Sequence, residues 1–298
     1  MVTNSDVAEV ICALGMADRI VGASDTCMKD QMLAPKLKGA QDVGRSFTPS
    51  TERILALKPD IVFGYGKFLK QEIINQIQRA GIPVVLLDCY KLKTMAQDIR
   101  VLGRIFGREK QAADYIGVFD NYRRLVEDRT RQLPLRDRPW VYLESYSDYS
   151  TVGPGSGGLQ MLEAAGGRNV AADTRIPYPK ISPEWVVARN PAVIIKAASS
   201  RSVPSGYGEN ADAMEAKRAE ILSRPGWKGI SAVKNGRVYV ISSDIYTGPR
   251  AVVGIAYFAK WIHPRLFADL DPAAIHKETL ARFHGLEPEG AWVYPGGE

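Results

Sequence analysis

Hydrophobic positions recur along this chain with two different periods. In residues 6–14 the apolar positions lie three and four residues apart, which predicts an amphipathic helix. Residues 82–88 are apolar at consecutive positions, which is typical of a parallel strand covered on both faces. Patterns of these two kinds alternate through both halves of the chain. We therefore predict an α/β fold with parallel sheets.

One pattern occurs twice. Residues 50–63 and 182–195 each place a Glu at the start of a predicted helix, an Ala one turn later, and a Pro between the helix and an apolar strand. The two glutamates are Glu52 and Glu184. This repeat predicts two lobes of similar build, each with a carboxylate at the same position.

A carboxylate in the first turn of a helix has a structural explanation of its own. The helix macrodipole stabilises it by roughly 0.3–1 kcal/mol. That is a sufficient reason for Glu52 or Glu184 singly, but it does not explain matched placement in two lobes. From these residues alone, structural and functional roles both stay open.

A long helix is predicted over residues 109–133, where Gly117 is the one Gly or Pro and Pro134 follows. About 24 helical residues extend roughly 36 Å. That length suits a strut between two lobes, and an ordinary surface helix is the alternative. We predict an N-terminal α/β lobe over 1–108, the interlobe helix over 109–133, and a C-terminal α/β lobe over 134–298. The final helices are free to pack back toward the first lobe.

Two glycine-containing segments predict turns. Residues 153–158 are glycine-rich but match neither the dinucleotide-binding nor the P-loop spacing, and no Lys follows to neutralise phosphate. We predict a strand-to-helix turn there. Asn235-Gly236 supplies the positive φ of a type I′ turn and predicts a hairpin before the strand at 238–241.

Composition and charge exclude several functional classes. The 298 residues include 39 Lys plus Arg and 33 Asp plus Glu, a net charge of +6. The basic residues are scattered, which does not favour nucleic-acid binding. No apolar run reaches the roughly 18–20 residues that span a bilayer.

The chain opens without a signal peptide, and Val2-Thr3 resembles the end of a strand, so we expect an export signal to have preceded it.

The cysteines and histidines do not form a recognisable catalytic or metal-binding motif. Cys12, Cys27 and Cys89 lack zinc-site spacing, and we interpret them as separate small residues, with a bridge between Cys27 and Cys89 as the alternative. The three histidines crowd toward the C-terminus and are interpreted as helix-end or surface residues. No nucleophile motif is present. We therefore expect no catalysis, no cofactor and no resident metal.

Tyrosines and arginines gather in loops after strands, where open α/β sheets bind ligands. Tyrosine offers a flat apolar face and a polar tip, and Arg offers a planar fork for anionic oxygens. Together they predict a site for a large, partly aromatic, anionic ligand. The candidate ligand-binding residues are Arg45, Tyr65, Tyr90, Tyr146, Tyr149, Tyr178, Tyr246 and Arg250.

The order of several segments resembles one protein family, the substrate-binding proteins of ABC importers for iron–siderophore complexes, haem and cobalamin. The similarity covers most of the chain and depends on order and spacing more than on any single motif. The segments are SDVAEVICALG (5–15), DRIVG (18–22), ERILALKPDIV (52–62), AGGRNV (165–170), EWVVARNPAVII (184–195), AVKNGRVY (232–239) and AKWIHPRLF (259–267).

The resemblance implies a fold and a partner. It implies two Rossmann-like lobes with central parallel sheets, joined by a single long helix, with the ligand in a cleft between the lobes. Glu52 and Glu184 match the positions at which the family docks onto arginines of the dimeric permease. We expect a monomer, located in a periplasm or anchored outside the membrane.

The ligand stays open among several metal chelates. A ferric siderophore is the first choice because its anionic oxygens match Arg and Tyr, and haem and cobalamin are the alternatives. For haem, a Tyr could ligate the iron. Two alternatives belong to other functional classes. One is a two-lobed enzyme that resembles a metal chelatase, and the other is a receptor that signals to a sensor instead of delivering its ligand to a transporter.

Overall fold

The computed structural model describes residues 1–66 and 68–296, which divide into two compact units. The first unit contains Met1–Ile116 together with Phe283–Gly285, and the second contains the rest of the described chain. Each unit has its own parallel strands flanked by helices. The predicted α/β fold class is therefore confirmed. The ligand cleft expected between the lobes stays a prediction, as do the lobe boundaries.

The sheet of the first unit is built from very short parallel strands. Strand β1 (Gly22–Ala23) pairs with β2 (Gln41–Asp42), and β5 (Val62–Gly64) pairs with β6 (Val84–Leu86). Val2 is fully buried and forms parallel bridges to both Ala23 and Phe63, so it joins the two pairs. The strand character predicted for Val2 is thus confirmed. A separate antiparallel pair, β3 (Gly44–Arg45) with β4 (Thr48–Pro49), precedes the first repeated helix.

Helices flank this sheet, and two of them begin at a capping side chain. Asn4 caps α1 (Ser5–Ala13), because its Oδ1 accepts hydrogen bonds from the N–H groups of Asp6 and Val7 at 2.8 and 3.2 Å. The first of the two repeated helices begins after Ser50, whose hydroxyl accepts the Arg53 N–H at 3.3 Å. The remaining helices of this unit are α2 (Asp25–Lys29), α3 (Thr51–Leu57), α4 (Gln71–Arg79) and α5 (Leu92–Phe106).

The predicted long helix is present as α6 (Glu109–Arg131), with 23 residues. Arg123 forms ion pairs with Asp120 and Glu127, one turn away on either side. Such pairs stabilise an exposed helix by about 0.2–0.5 kcal/mol each. The role of α6 as an interlobe strut stays a prediction. None of the helices in residues 1–66 and 68–296 has the length and apolar character to cross a membrane.

The second unit contains a larger sheet. Four of its strands are parallel, and one antiparallel strand closes an edge. The central strand is buried along its whole length, as the apolar pattern predicted. The spatial order is β13 (Val293–Tyr294), β11 (Val238–Ser242), β9 (Val193–Ala198), β7 (Trp140–Glu144) and β8 (Arg168–Asn169), and a small antiparallel pair joins β10 (Gly206–Tyr207) to β12 (Gly290–Ala291).

Besides α6, seven helices among the described residues belong wholly or mainly to the second unit. The glycine-rich run before the first of them is a strand-to-helix turn, as predicted: the Gly153 N–H donates to the Pro177 carbonyl, and Ser156 caps the helix. The helices are α7 (Gly157–Ala164), α8 (Pro183–Arg189), α9 (Asp212–Ser223), α10 (Ser231–Lys234), α11 (Ser243–Tyr246), α12 (Ala251–Ile262) and α13 (Pro272–His284).

The predicted hairpin at Asn235-Gly236 is wrong. Residues 231–234 form the short helix α10, and Asn235 has a φ of −95°, which a type I′ turn does not allow. Gly236 has a φ of 69° and ends this helix in the left-handed conformation. The Ala232 N–H donates to the Pro191 carbonyl, which holds this segment as a helical turn before β11.

Gly254, in α12, provides a test of how tightly the second unit packs. A Cβ at this position would overlap the Ile245 carbonyl and lie 2.7 Å from Cε of Met161. We expect Gly254→Ala to lower the free energy of unfolding by about 1–3 kcal/mol, measured as the shift in the urea midpoint. The matched control is Gly117→Ala in α6, where a Cβ meets no atom within 4 Å. The control should raise the free energy of unfolding by up to about 1 kcal/mol. Equal effects of the two substitutions would contradict this packing.

Candidate functional site

Aromatic side chains cluster at the strand ends of the first unit. Phe47, Tyr65 and Phe68 contact one another with ring centroids 5.2–6.1 Å apart, and Tyr90 lies 6.2 Å from Tyr65. Phe47 and Phe68 are 48% and 46% exposed. We call these four residues the aromatic cluster. Half-exposed, mutually contacting phenylalanines are typical of a surface that binds a partner or ligand.

Only two members of this cluster are among the candidates predicted from the sequence. Tyr65 and Tyr90 were predicted, whereas Phe47 and Phe68 were missed. A signal for Phe47 was present, because it lies two residues after the candidate Arg45. Arg45 is exposed in β3, and no ion pair of its guanidinium occurs within residues 1–66 and 68–296.

The hydroxyl of Tyr65 is engaged inside the unit. It donates to Oδ2 of Asp6 at 2.9 Å and lies 3.3 Å from the Ser5 hydroxyl. Burial, and then the neighbouring Asp6 carboxylate, raise the pKa of Tyr65 well above its usual value. The phenol is therefore held neutral, and the partly exposed ring is the part of Tyr65 that a ligand could contact.

Tyr90 is flanked by an ion pair. The Lys91 ammonium lies 5.1 Å from the centre of the Tyr90 ring and 2.5 Å from Oδ2 of Asp88. Burial raises the pKa of Tyr90, and the Asp88 carboxylate adds to the effect. Because Lys91 is already paired, Arg45 is the more available cation on this side of the unit.

The candidates of the second unit differ in exposure. Tyr146 and Tyr178 are exposed. Tyr149 is partly buried against the Trp227 ring and the Arg224 guanidinium, whose carbon lies 4.6 Å from the Tyr149 ring centre. We expect Tyr146 and Tyr178 to be accessible to a ligand, and Tyr149 to support the loop that carries Tyr146.

Two candidates lie in the interior of the second unit. Tyr246 and Arg250 are only 2% and 3% exposed. The Tyr246 hydroxyl packs against Gly158, where any Cβ would overlap it, and the Arg250 guanidinium lies 5.2 Å from the Trp292 ring centre. Their ligand contacts stay predictions, and they require this segment to open.

A buried ionic network underlies the loop after β7. Lys196, in β9, is 1% exposed, and its ammonium lies 3.1 Å from Oε1 of Glu144 and 3.2 Å from Oδ1 of Asp148. Arg224 pairs with the same two carboxylates at 2.7 and 3.3 Å. Partial burial alone would favour the neutral acid, but Lys196, and then Lys217 and Arg224, lower the pKa of Asp148. Asp148 is therefore ionised at neutral pH.

The network also fixes the backbone of the loop. The Lys196 ammonium donates to the carbonyls of Ser145 and Tyr146 at 2.7 and 3.2 Å. Oε2 of Glu144 accepts the Tyr149 N–H at 3.1 Å, and Tyr149 adopts a left-handed φ of 60°. A non-glycine residue in that conformation costs roughly 1–2 kcal/mol, which these bonds offset. The Tyr146 loop is thus preorganised.

The histidines and cysteines do not form a site within residues 1–66 and 68–296. No group of three His, Cys, Asp or Glu side chains is placed there to hold a metal ion. Cys12, Cys27 and Cys89 are buried free thiols, so the alternative bridge between Cys27 and Cys89 is absent. Burial raises the pKa of Cys12 to about 11 and that of Cys27 to about 12, which makes both thiols unreactive at neutral pH.

The two repeated segments adopt the same local structure. Helices α3 and α8 each have 7 residues, each begins after a Ser whose hydroxyl accepts a backbone N–H, and each ends in a left-handed residue with φ near 45°. Glu52 and Glu184 each occupy the second helical position and are exposed. Hydrogen bonds from its own backbone and from Ser182 lower the pKa of Glu184. The matched carboxylates are thus both exposed, and their role stays a prediction.

Comparison with known proteins agrees with this architecture. Residues 1–245 match the family model described as periplasmic binding protein. An ABC transporter substrate-binding lipoprotein of Bacillus subtilis, YvrC, is 27% identical over 270 residues, covering 88% of this chain and 78% of that protein. The molybdate-binding protein MolA of Haemophilus influenzae is 28% identical over 286 residues, covering 87% of this chain and 77% of that protein.

Solved structures show the same fold. MolA bound to molybdate superposes with a TM-score of 0.80 at 25% identity, over 97% of this chain and 93% of that chain. The TroA-like periplasmic binding protein FepB of Veillonella parvula gives a TM-score of 0.80 at 23% identity, over 96% of this chain and 89% of that chain. The resemblance found in the sequence is confirmed, and such relatives are binding proteins rather than enzymes. The chain therefore belongs to the periplasmic binding protein family, as the substrate-binding component of an ABC transporter.

Proposed function

We propose that this protein is an extracytoplasmic receptor that binds a metal chelate, with a ferric siderophore as the first choice, and delivers it to an ABC permease. The observation that carries the choice of cargo is the aromatic cluster of the first unit. Of its two half-exposed phenylalanines, Phe68 follows the parallel strand β5, and Phe47 lies in the turn between β3 and β4, two residues after Arg45. An aromatic surface beside a cation suits a ligand with conjugated rings and anionic oxygens.

Burial of the cluster supplies a driving force for binding. Covering apolar surface stabilises a complex by about 25 cal/mol per Å². Aromatic pairs in offset or edge-to-face contact add about 0.5–1.5 kcal/mol. The catecholate rings of a siderophore, the porphyrin of haem and the corrin of cobalamin all offer such surface. The preference for a siderophore comes from Arg45, because ferric siderophores combine rings with several anionic oxygens.

Haem and cobalamin stay as alternatives within the same proposal. Direct ligation of haem iron by Tyr65 is disfavoured, because its hydroxyl is bonded to Asp6 and its raised pKa keeps it protonated. A haem complex would need a phenol from an exposed residue such as Tyr146 or Tyr178.

A second candidate cargo is a small oxyanion. MolA, which covers most of this chain, is named a molybdate-binding protein. A tetrahedral oxyanion would engage cations and hydroxyls and would leave Phe47 and Phe68 exposed. Sensitivity of binding to these two phenylalanines therefore separates a chelate from an oxyanion.

The first test is a ligand panel measured by isothermal titration calorimetry. Ferric catecholate and ferric hydroxamate siderophores, haem, cobalamin and molybdate are titrated into the protein. We expect saturation with a ferric siderophore. Phe47→Ala/Phe68→Ala should weaken this binding roughly tenfold or more, which corresponds to about 1.4 kcal/mol. The matched control is Val21→Ala/Ile105→Ala, which removes two exposed apolar side chains of the same unit outside the cluster.

Two outcomes of that panel would overturn the chelate proposal. One is a flat response to every chelate. The other is saturation by a chelate with equal losses for the cluster variant and the control variant, since binding would then not involve the aromatic cluster. Saturation by molybdate alone, unaffected by either variant, would establish the oxyanion alternative.

We further propose that Glu52 and Glu184 dock onto the permease. Their support is the matched placement of two exposed carboxylates on equivalent helices, one in each unit. Two equivalent carboxylates suit a partner with twofold symmetry that presents a basic group on each subunit. Exposed charges of this kind steer the encounter and fix orientation more than they add affinity.

Charge reversal tests this docking role. Glu52→Lys/Glu184→Lys should abolish cargo uptake by the reconstituted transporter while cargo affinity in calorimetry stays within about twofold. The control Glu72→Lys/Glu163→Lys reverses two other exposed glutamates, and Glu72 also occupies the second position of its helix. The control should transport normally. A loss of cargo affinity in the first variant would instead place these glutamates at the ligand site.

A further inference from the structure

A proline-containing segment lies against the loop that follows β7 in the second unit. The N–H groups of Gly153 and Thr151 donate to the carbonyls of Pro177 and Pro179, at 2.8 and 2.9 Å. We call residues 175–181 the strap. Because parallel sheets bind ligands at the carboxyl-terminal ends of their strands, the strap lies at the binding edge of this unit.

The backbone of the strap is held in place. Pro177 and Pro179 each have a fixed φ, and Pro179 is buried. Gly153 allows the strap to approach closely, because a Cβ at this position would overlap the Ile176 carbonyl. Groups that are already in place lose less entropy when a ligand binds.

Two exposed side chains make the strap partly apolar. Ile176 is 57% exposed, and Tyr178 is exposed two residues later. Burial raises the pKa of the Tyr246 phenol well above its usual value, and Tyr146 and Tyr178 add to this shift because their phenols lie close enough to interact with it. The ring of Tyr146 lies 5.8 Å from that of Tyr246. Ile176 and Tyr178 therefore extend the exposed surface that Tyr146 provides.

The strap also carries positive charge. It contains Arg175 and Lys180 and no acidic residue. Both side chains are exposed, and neither forms an ion pair or a side-chain hydrogen bond with any residue in 1–66 and 68–296. The acid closest to Arg175 in sequence, Asp173, is paired with Arg189. Two cations beside an apolar surface are thus available to an anionic ligand.

We infer that the strap is a cargo-binding surface of the second unit that selects chelates with net negative charge. The inference rests on the proposed function. Ile176 and Tyr178 cover an apolar part of the chelate, and Arg175 and Lys180 attract its anionic oxygens. A ferric tricatecholate is net negative, whereas a ferric trihydroxamate is neutral. The strap therefore favours the tricatecholate.

The charge of the strap indicates the cargo, rather than the permease, as its occupant. The docking role proposed for Glu184 requires basic groups on the surface of the permease. Such groups would be repelled by Arg175 and Lys180, because like charges that face each other across an interface are unfavourable. An anionic chelate meets no such repulsion.

Calorimetry with a ferric tricatecholate and a ferric trihydroxamate siderophore tests the selectivity. Arg175→Gln/Lys180→Gln should weaken tricatecholate binding roughly fivefold at low ionic strength and leave any trihydroxamate binding within about twofold. The loss should shrink as salt is added, because salt screens exposed charges. The matched control Lys234→Gln/Arg265→Gln removes two other exposed cations of the second unit and should leave both affinities within about twofold.

A second variant tests the apolar part of the strap without changing its charge. Ile176→Ser should weaken binding of the tricatecholate roughly threefold, because less apolar surface is then covered. The control Leu135→Ser removes an exposed aliphatic side chain that precedes β7, and it should leave the affinity unchanged. Thermal unfolding followed by circular dichroism should give Tm values for the strap variants within about 2 °C of the parent protein, since exposed changes alter stability little.

The outcomes separate this inference from the proposed function. Tricatecholate binding with equal effects of the strap variants and their controls would overturn the strap and leave the receptor role intact. Preference of the parent protein for the trihydroxamate would do the same. Loss of uptake with unchanged cargo affinity in Arg175→Gln/Lys180→Gln would assign the strap to the permease instead. Failure of both siderophores to bind would overturn the selectivity, whereas the receptor role falls only if haem and cobalamin also fail to bind.

Discussion

The central physical constraint of this protein is the burial of an ion pair inside a sheet. Glu144 and Lys196 are both 1% exposed on neighbouring parallel strands, where an unpaired charge would be very costly. Removing one member of such a buried pair typically costs about 3–5 kcal/mol. Lys196 also donates to carbonyls of the loop after β7. Glu144 accepts the Tyr149 N–H of that loop, in addition to hydrogen bonds from the Tyr142 hydroxyl and the Arg224 guanidinium. The pair therefore fixes the conformation of the Tyr146 loop, which carries a candidate ligand-binding residue.

The first unit uses a related arrangement at its own strand ends. The carboxylate of Asp98 is largely buried and accepts the N–H groups of Asp88 and Cys89, at 3.3 and 2.9 Å. Cys89 has a left-handed φ of 50°, as Tyr149 does in the second unit. In each unit a buried acid thus stabilises an unfavourable backbone conformation in a loop after a strand. Such local strain is characteristic of loops that bind ligands, and the two loops carry Tyr90 and Tyr146.

The sequence predicted those features that depend on local periodicity and capping. The alternation of helices and strands, the long helix α6 and the repeated Ser-x-Glu helices are all present, because each follows from nearby residues. Features that depend on distant packing were missed or wrong. Asn235-Gly236 has strong hairpin character, yet a contact with Pro191 holds the preceding residues as a helix. The ionic network around Lys196 and the aromatic cluster each bring together residues that are far apart in the sequence. The burial of Tyr246 likewise depends on a distant position, because its hydroxyl occupies the space that a side chain at Gly158 would fill.

Two surfaces are proposed for two tasks: the aromatic cluster binds the conjugated part of the cargo, and the two helix-start glutamates dock onto the permease. Hydrogen–deuterium exchange, compared with and without a saturating ferric siderophore, tests the assignment of cargo to the strand-end loops most directly. The account predicts slower exchange around Phe47 and Tyr65 in the first unit and around Tyr146 in the second, with α3 and α8 unchanged at Glu52 and Glu184. Protection confined to α3 and α8, with the loops unchanged, would contradict it.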